Sequence, residues 1–289
     1  MIDFYASRSH YRDHLLPIWE AIDDRHRGFF HDVPPLRSDR LTVVAGGSDL
    51  AGLRRAVLVE HGAGQTYVEV DHEGWSGGPR RDRVELFVVP NLHAARANRT
   101  RYPTTPFVVC SPRVEYLRTL DQHVAYDVVF GRHWDSYLTA ELNSAWPHHF
   151  ETIRDYCLTH PRTALHFHPR CAEVGQTLAN DWGIRYIDSF DEVVRTCDTL
   201  VVDNSSVGFE WAALGRKVVW LNAPHYRRKL EQGLRFWSHV DVGVECDDPD
   251  GLEAALDAPF TPRQDLVQDV YPLIEGAAKV AAEAIIHTA

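Results

Sequence analysis

The chain lacks any apolar run close to the about 20 residues that a membrane-spanning helix requires. Its start, MIDFYASRSHYRDH, also lacks the basic and then apolar layout of a secretory signal. The five cysteines are odd in number and none forms a C-x-x-C pair, which is typical of reduced thiols rather than of a disulfide framework. These absences predict a cytoplasmic protein with no stable membrane insertion.

Metal-ligand spacing is missing as well. Although the chain contains 17 histidines, no cysteine or carboxylate falls at zinc-finger or H-E-x-x-H spacing. Acidic residues outnumber basic ones by 41 to 30, and the net charge of −11 argues against a general nucleic-acid-binding surface. We therefore expect no metal ion and no resident cofactor, with phosphate groups bound by backbone amides and basic side chains instead.

What the chain does contain is a series of short apolar runs rich in β-branched residues. Because these runs are continuous rather than alternating, they favour strands buried on both faces, as in parallel sheets covered by helices. Eleven strands are predicted, at residues 2–5, 41–45, 56–60, 85–89, 107–110, 127–130, 164–167, 185–187, 199–203, 217–222 and 240–244. Eleven strands exceed what one ordinary sheet carries, so we expect two doubly wound, Rossmann-like α/β domains.

The predicted join between the domains lies near residues 120–126, which gives a first domain of residues 1–121 and a second of 122–289. Helical spacing continues towards the end of the chain, but Pro272 interrupts it and is expected to kink or restart the last helix. The kinked helix is expected to pack back on the first domain. Other helices are predicted at 17–22, 150–159, 171–182, 191–196, 206–215 and 249–256.

The stretch DNSSVGFEWAALGRK (203–217) places small polar residues where a buried strand gives way to a helix. In open α/β sheets, ligands bind beyond the carboxyl ends of the strands, where a helix N-terminus presents unpaired N–H groups. Asn204, Ser205 and Ser206 are therefore candidates for binding a phosphate through backbone amides and hydroxyls. The alternative is that one of the serines is an ordinary helix N-cap.

A basic cluster follows the next predicted strand, in APHYRRK (223–229). It places His225 and Arg227 near the same edge of the sheet, where they would suit the two phosphates of a nucleotide diphosphate. The alternative is a solvated run of charges.

A longer series of motifs, within residues 164–228, resembles the CDP-glycerol glycerophosphotransferase family of teichoic-acid-type enzymes. The similar features are the His-Pro of ALHFHPR, a Ser-Phe-Asp before a helix, and an acid-x-Ser-Ser-x-x-Phe-Glu run followed by a strand that ends near a Pro and a Tyr. The resemblance implies a GT-B-like fold, in which two Rossmann-like domains face a cleft and the second binds the donor. A weaker similarity exists to nucleotide-sugar 2-epimerases, which have glycines in place of Ser205 and Ser206.

The family also carries a His-Gly in its first domain, and VEHGAGQTY (59–67) contains one at His61 and Gly62. The resemblance implies that His61 is the catalytic base, which agrees with the ability of a neutral imidazole to accept a proton from a hydroxyl. The alternative is a turn histidine satisfied by backbone groups. Ala-Gly-Gln-Thr follows in place of the family's Thr-Pro-type sequence, so the acceptor and the transferred group stay open.

The remaining candidates are residues that follow predicted strands or match a family motif. On the donor side they are His168 and Arg170 as phosphate contacts, Asp203 as a residue that orients the loop, and Glu210 as an acceptor for ribose hydroxyls. On the acceptor side they are Ser7, His10, Gly62 and Gln65.

Together these motifs predict a transferase that moves a glycerol-phosphate or glycosyl group from a CDP- or UDP-linked donor to an acceptor hydroxyl. The acceptor is expected to be a glycan, a protein, a polymer or a modified nucleobase. Three alternatives stay open: a GT-B glycosyltransferase that uses a nucleotide sugar, a sugar-nucleotide epimerase, and a non-catalytic nucleotide-binding module. The absence of a clear carboxylate pair at the strand ends of the first domain disfavours the epimerase. The presence of both His61 and the basic cluster disfavours the module.

Overall fold

Every strand pairing within the described residues is parallel, and the strands form two sheets of six. The computed structural model describes residues 1–35, 39–63, 79–135, 143–226 and 241–289. These residues divide into a first unit, within Met1–Tyr116 and Gln268–Ala289, and a second unit, between 117 and 267. The predicted fold class of two doubly wound, Rossmann-like α/β domains is confirmed.

The first sheet consists of β1 (Ile2–Tyr5), β2 (Arg27–His31), β3 (Thr42–Val44), β4 (Ala56–Val59), β5 (Val84–Val89) and β6 (Phe107–Val109). The second consists of β7 (Tyr126–Arg132), β8 (Thr163–Phe167), β9 (Arg185–Tyr186), β10 (Cys197–Val202), β11 (Val218–Leu221) and β12 (Val244–Cys246). The first has the order β2-β1-β3-β4-β5-β6, and the second β12-β11-β10-β7-β8-β9.

Helices cover these sheets, and their bounds are α1 (Ser9–Ala21), α2 (Leu92–Arg101), α3 (Pro112–Leu117), α4 (Trp146–Thr159), α5 (Ala172–Trp182), α6 (Phe190–Thr196), α7 (Val207–Ala213), α8 (Leu252–Asp257), α9 (Gln264–Val270) and α10 (Ala277–Thr288). Within the described ranges, no helix combines the length and the hydropathy that crossing a bilayer demands.

Both sheets reverse their strand order at one point. In the first sheet the reversal falls between β1 and β3, because β2 lies on one side of β1 and β3 on the other. In the second sheet the chain enters at β7, adds β8 and β9 on one side, and then adds β10 to β12 on the other. Ligands of open α/β sheets bind beyond the strand ends at such a reversal. The residues after β1, β3, β7 and β10 therefore occupy the positions at which ligand sites are expected.

Several elements depart from the sequence-based predictions. Strand β2 (RGFFH) was not predicted, because it lacks a long apolar run. It lies at the edge of the sheet, pairs only with β1 and leaves Phe29 63% exposed, so a long apolar run is not required there. Helix α1 begins at Ser9 rather than at Pro17, because Tyr11, Leu15 and Ile18 form a continuous buried face and Pro17 lies inside the helix. Helix α2, which the sequence patterns also miss, turns only small or polar residues towards the sheet, and α3 is a short helix of six residues.

The end of the chain belongs to the first unit. Pro272 separates α9 from α10, as predicted, and Gly276 precedes α10 with a left-handed φ of 72°. Ala281 and Ile285 of α10 pack into the same core as Leu15 of α1 and the first sheet. The last helix therefore completes the hydrophobic core of the first unit.

A carboxylate on α3 holds the start of α10. Glu115 accepts hydrogen bonds from the backbone N–H groups of Gly276 (2.6 Å) and Ala278 (3.0 Å). These donors have no partner inside the helix, and a negative charge also complements the helix dipole at this end. Glu115 thus links α3 to the N-terminus of α10.

The change Glu115→Ala should lower the free energy of unfolding of the first unit by about 1–2 kcal/mol, as loss of a helix cap does. The reason is that two N–H groups at the start of α10 lose a charged acceptor. Denaturant unfolding measures the difference. Glu20→Ala, an exposed change on α1, is the control and should stay within about 0.5 kcal/mol of the parent. Equal effects of the two changes would contradict this role of Glu115.

Candidate functional site

His61 follows β4 and is held by a backbone carbonyl from the end of β3. Its Nδ1 lies 2.5 Å from the carbonyl oxygen of Ala45. Because a carbonyl oxygen only accepts, Nδ1 must carry the hydrogen. In the neutral ring Nε2 then carries the lone pair. The fold therefore presents His61 in the tautomer that accepts a proton at Nε2.

Three residues of α1 surround the His61 ring. The ring centroid of Tyr11 lies 4.6 Å from that of His61, and those of His10 and His14 lie 5.9 and 6.0 Å away. The approach of Tyr11 depends on Gly46, where an added Cβ would lie 2.5 Å from the Tyr11 ring. We refer to His10, His14 and His61 as the histidine cluster. The cluster lies where the strand order reverses between β1 and β3. His10 and His14 follow β1, and His61 follows β4, the strand next to β3.

One ring of the histidine cluster, that of His14, lies in an environment that disfavours protonation. The pKa of His14 is well below its ordinary value, first because the ring is buried and then because of the nearby charge of Arg113 and the imidazoles of His61 and His10. Both burial and a neighbouring cation penalise the charged form of an imidazole. His14 is therefore neutral at physiological pH.

The other acceptor-side candidates differ in how they relate to His61. The side chain of Ser7 is bound to Asp49, which accepts from its hydroxyl (2.6 Å) and from its backbone N–H (3.0 Å). Gly62 is buried directly after His61. Gln65 lies outside the described residues. Within the first unit, His10 and His61 are thus the candidates that the structure brings together.

Glu60 precedes His61, but its carboxylate takes part in a buried network. It accepts from Asn98 Nδ2 (2.7 Å) and pairs with Arg81 Nη1 (3.3 Å), and all three side chains are buried. Asn98 belongs to α2, whereas the rings around His61 belong to α1, so the carboxylate and the imidazole are engaged by different helices.

In the second unit, His168 follows β8 and has the opposite tautomer. Its Nδ1 accepts a hydrogen bond of 3.1 Å from the backbone N–H of Arg170. In the neutral ring Nε2 then carries the hydrogen and acts as a donor. A donor at the end of a strand suits an anionic ligand such as a phosphate.

An aromatic platform forms beside His168 from the segment that follows β7. The ring centroids of His133 and Trp134 lie 5.4 and 6.2 Å from that of His168. The guanidinium carbon of Arg170 lies 4.0 Å from the centroid of the Trp134 ring, which is a cation–π distance. Arg170 is exposed at this position, and its guanidinium is held by the indole.

Asp203 ties the ends of β7 and β10 together. Its carboxylate is 1% exposed and accepts from the backbone N–H of His133 (2.9 Å) and from the hydroxyl of Ser144 (2.5 Å). A buried carboxylate with charge-assisted hydrogen bonds is geometrically restrictive. Asp203 therefore fixes the segment that carries His133 and Trp134 next to the loop of Asn204.

One backbone carbonyl group contacts residues that follow β10 and residues that follow β11. The oxygen of Asn143 accepts from Asn204 Nδ2 (3.1 Å) and from the hydroxyl of Tyr226 (2.9 Å), and lies 3.5 Å from His225 Nε2. His225 is exposed. Arg227 lies outside the described residues. The candidates Asn204 and His225 thus share one neighbour.

The two serines of the opening motif are half-buried at the start of α7. Ser206 occupies the N-cap position, but its side chain makes no capping hydrogen bond. The interpretation of Ser206 as an ordinary side-chain cap is therefore not supported by the geometry. Glu210, one turn further on, is 2% exposed and lies in the interior side of α7.

Comparisons with known proteins place this geometry in a fold but not in a sequence family. No protein-family model and no curated protein matches the sequence. A structure of the wall teichoic acid polymerase TagF soaked with CDPG matches with a TM-score of 0.61, over 100% of this chain and 88% of that chain, at 12% identity. A putative UDP-N-acetylglucosamine 2-epimerase from Listeria monocytogenes matches with a TM-score of 0.60, over 99% and 95% of the two chains, also at 12% identity. The chain has the GT-B fold. At this identity the likeness is one of fold.

Sequence reasoning missed residues that lie near the candidates His61 and His168. Tyr11 lies between His10 and His14 in the polar segment that follows β1. An aromatic residue within this polar segment is the signal that could have identified it. His133 and Trp134 directly follow a predicted strand, in GRHWD, in the same way as the residues that were singled out. Arg113 follows Pro112 after β6, and its sequence gives no sign that its charge acts on His14 of α1.

Cysteine and metal chemistry find no support in the described residues. Burial raises the pKa of the five thiols to about 12 for Cys110 and Cys157 and to about 11 for Cys171, Cys197 and Cys246. All five are free, and such thiols are protonated and unreactive at neutral pH. Within the same part of the chain, no three His, Cys, Asp or Glu side chains are grouped so as to hold a metal ion.

The change Asp203→Ala should lower the free energy of unfolding of the second unit by about 1–3 kcal/mol, because it leaves buried donors unsatisfied. Asp203→Asn keeps one acceptor and should fall between this variant and the parent. Thermal or denaturant unfolding measures both. Asp198→Ala, an exposed change on β10, the strand that Asp203 follows, is the control. If Asp203→Ala is as stable as Asp198→Ala, Asp203 does not brace the strand ends.

Proposed function

We propose that the chain is a GT-B transferase that moves a glycerol-phosphate or glycosyl group from a nucleotide-diphosphate donor to an acceptor hydroxyl. In this proposal His61 is the general base. The observation that carries it is the hydrogen bond from His61 Nδ1 to the Ala45 carbonyl, which leaves Nε2 as the proton acceptor. A catalytic base needs this lone pair at a fixed position near a ligand site.

The chemistry follows from the tautomer. As the acceptor oxygen attacks the donor, its proton passes to His61 Nε2 and the ring becomes an imidazolium. The Ala45 carbonyl stays bonded to Nδ1–H and stabilises the positive charge through its dipole. The nucleotide leaves with the electron pair of the bond that breaks.

The second unit supplies the groups that we assign to the donor. Its strand order reverses between β7 and β10, and His168, Trp134 and the loop of Asn204 lie beyond the ends of β8, β7 and β10. His168 Nε2–H and the hydroxyls of Ser205 and Ser206 are donors suited to a diphosphate. We assign phosphate contacts to these groups, to Arg170, His225 and Arg227 as predicted from the sequence, and we propose that they replace a metal ion.

The identity of the transferred group decides between two reactions. Attack on phosphorus of CDP-glycerol breaks the phosphoanhydride bond and releases CMP, whereas attack on the anomeric carbon of a nucleotide sugar releases a nucleoside diphosphate. The motif resemblance favours the first. A sugar-nucleotide epimerase is a second candidate, because a fold neighbour of that name matches as well as TagF does.

A calorimetric series with CDP, UDP, GDP and ADP should show binding of a pyrimidine diphosphate. Replacing both Ser205 and Ser206 by alanine should weaken this binding by about 1–3 kcal/mol if both hydroxyls contact phosphate. Ser189→Ala is the matched control, since Ser189 occupies the N-cap position of α6 in the same unit and also makes no side-chain cap bond. Unchanged affinity in a folded double variant would remove these hydroxyls from the donor site.

The change His61→Asn should lower turnover by about 10²–10⁴-fold, the usual contribution of a general base. The Asn amide can still donate to the Ala45 carbonyl, so the local structure and nucleotide binding should be preserved while the basic nitrogen is lost. Product analysis measures transfer and identifies the released nucleotide as CMP or a nucleoside diphosphate.

His26→Asn, which replaces a surface histidine of the same unit, serves as the control and should transfer at the parental rate. EDTA should leave the parental rate unchanged. Near-parental turnover of a folded His61→Asn protein would exclude His61 as the base. Interconversion of a nucleotide sugar without an acceptor, and without nucleotide release, would identify an epimerase instead.

A further inference from the structure

A buried asparagine joins three segments of the first unit. Asn91 lies between β5 and α2 and is 0% exposed, and both polar atoms of its side chain are bonded to backbone groups. Its Oδ1 accepts from the N–H of Ala94 (2.8 Å), and its Nδ2 donates to the carbonyl oxygens of Val270 (2.9 Å) and Ala63 (3.3 Å). These partners belong to α2, to the end of α9 and to the segment 61–63, which we refer to as the His61 turn.

The side chain of Asn91 makes more hydrogen bonds than a helix cap requires. An N-cap needs only an acceptor for the first N–H groups of the helix, which serine, threonine or aspartate also supplies. The amide of Asn91 adds two donors. One reaches the carbonyl of Val270, which as the last residue of α9 has no partner inside that helix. The other reaches the carbonyl of Ala63, which lies in no helix or strand. The cap alone therefore does not explain an asparagine at this position.

The bond to Ala63 gives the His61 turn a second anchor. The first is the bond from His61 Nδ1 to the carbonyl oxygen of Ala45, which follows β3. The second comes from Asn91, which follows β5 and binds the turn two residues after His61. Strands β3 and β5 are the two neighbours of β4 in the sheet. Because Gly62 and Ala63 are also buried, the His61 turn is held from the ends of both neighbouring strands.

A separate contact between α2 and α9 lies at the surface. His93 Nε2 lies 2.8 Å from Oδ2 of Asp269, and both side chains are partly exposed. His93 thus shares with Asn91 the contact to α9, but it makes no bond to the Ala63 carbonyl. Replacing His93 therefore provides a matched control, which weakens the link between the two helices and leaves the anchors of the His61 turn in place.

We propose that Asn91 is a positioning residue for His61, which holds the His61 turn through the Ala63 carbonyl and so fixes the direction of Nε2. A displacement of about 1 Å at a reacting group can lower a rate by about 10²-fold. Since Ala63 is only two residues from His61, release of its carbonyl would reach the imidazole through the backbone. The catalytic consequence rests on the proposed function, whereas the orientation of the ring does not.

The direct test is an NMR spectrum of the imidazole nitrogens at neutral pH in the parent, in Asn91→Ser and in His93→Ala. The spectrum of His61→Asn assigns the His61 signals. The parent should show a single tautomer with the hydrogen on Nδ1. In Asn91→Ser the hydroxyl still caps α2, but no amide binds the His61 turn, so the two tautomers of His61 should mix. His93→Ala should give the parental His61 signals.

Nucleotide release from CDP-glycerol and from UDP-glucose provides the functional readout, with CDP binding measured by calorimetry. Asn91→Ser should lower turnover by about 10–100-fold and leave the Kd of CDP unchanged, because only the base is displaced. Asn91→Ala should lose the same turnover but more stability, since it also removes the cap of α2. In the His61→Asn background, Asn91→Ser should lower turnover little further, because the two residues act as one unit.

The outcomes separate the positioning role from the proposed function. A folded Asn91→Ser protein with the parental tautomer of His61 overturns the positioning role, whatever its activity. Mixed tautomers with parental turnover overturn its catalytic consequence, as does an equal loss of turnover in the parent and in the His61→Asn background. If the parent releases no nucleotide from either donor, the proposed function fails, while the tautomer still decides the role of Asn91. If Asn91→Ser does not fold, Asn91→Asp takes its place, because it keeps the cap acceptor without the two donors.

Discussion

Parallel pairing in both sheets requires every strand of a unit to end at the same edge. This constraint concentrates the polar residues that follow the strands, although they are far apart in the sequence. At the edge of the first sheet it collects Tyr11 after β1, Ala45 after β3 and His61 after β4. At the edge of the second it collects Trp134 after β7 and His168 after β8. The clusters exist because the strands are parallel and the strand order reverses once in each sheet.

Buried polar contacts then set the positions of these residues. Asp203 accepts hydrogen bonds from the backbone N–H of His133 and from the hydroxyl of Ser144. Glu60 accepts a hydrogen bond from Asn98 and forms an ion pair with Arg81. A buried carboxylate without such donors is strongly unfavourable, so each network permits few alternative arrangements. The imidazoles at the strand ends are consequently presented by a rigid support.

Two histidines with opposite tautomers illustrate how the backbone assigns chemistry. A carbonyl oxygen fixes the hydrogen of His61 on Nδ1, whereas a backbone N–H fixes the lone pair of His168 on Nδ1. Nε2 is therefore an acceptor in the first ring and a donor in the second. These are the properties that proton abstraction and phosphate binding respectively require, and the proposed transferase assigns the rings accordingly.

The sequence by itself determined the two-sheet α/β class, ten of the strands in the described part of the chain and the break at Pro272, because continuous apolar runs and proline report burial and backbone constraint locally. The strand predicted at 240–244 was misplaced, since β12 begins only at Val244. It also drew attention to His61, His168 and the Asn204–Ser206 loop as residues beyond strand ends. Only the tertiary structure decided that Tyr11, His10 and His14 lie beside His61, and that Trp134 stacks on Arg170. It likewise decided the tautomers and the edge strand β2. The physical reason is that these features depend on which strands are neighbours and on contacts between distant segments, neither of which a local periodicity encodes.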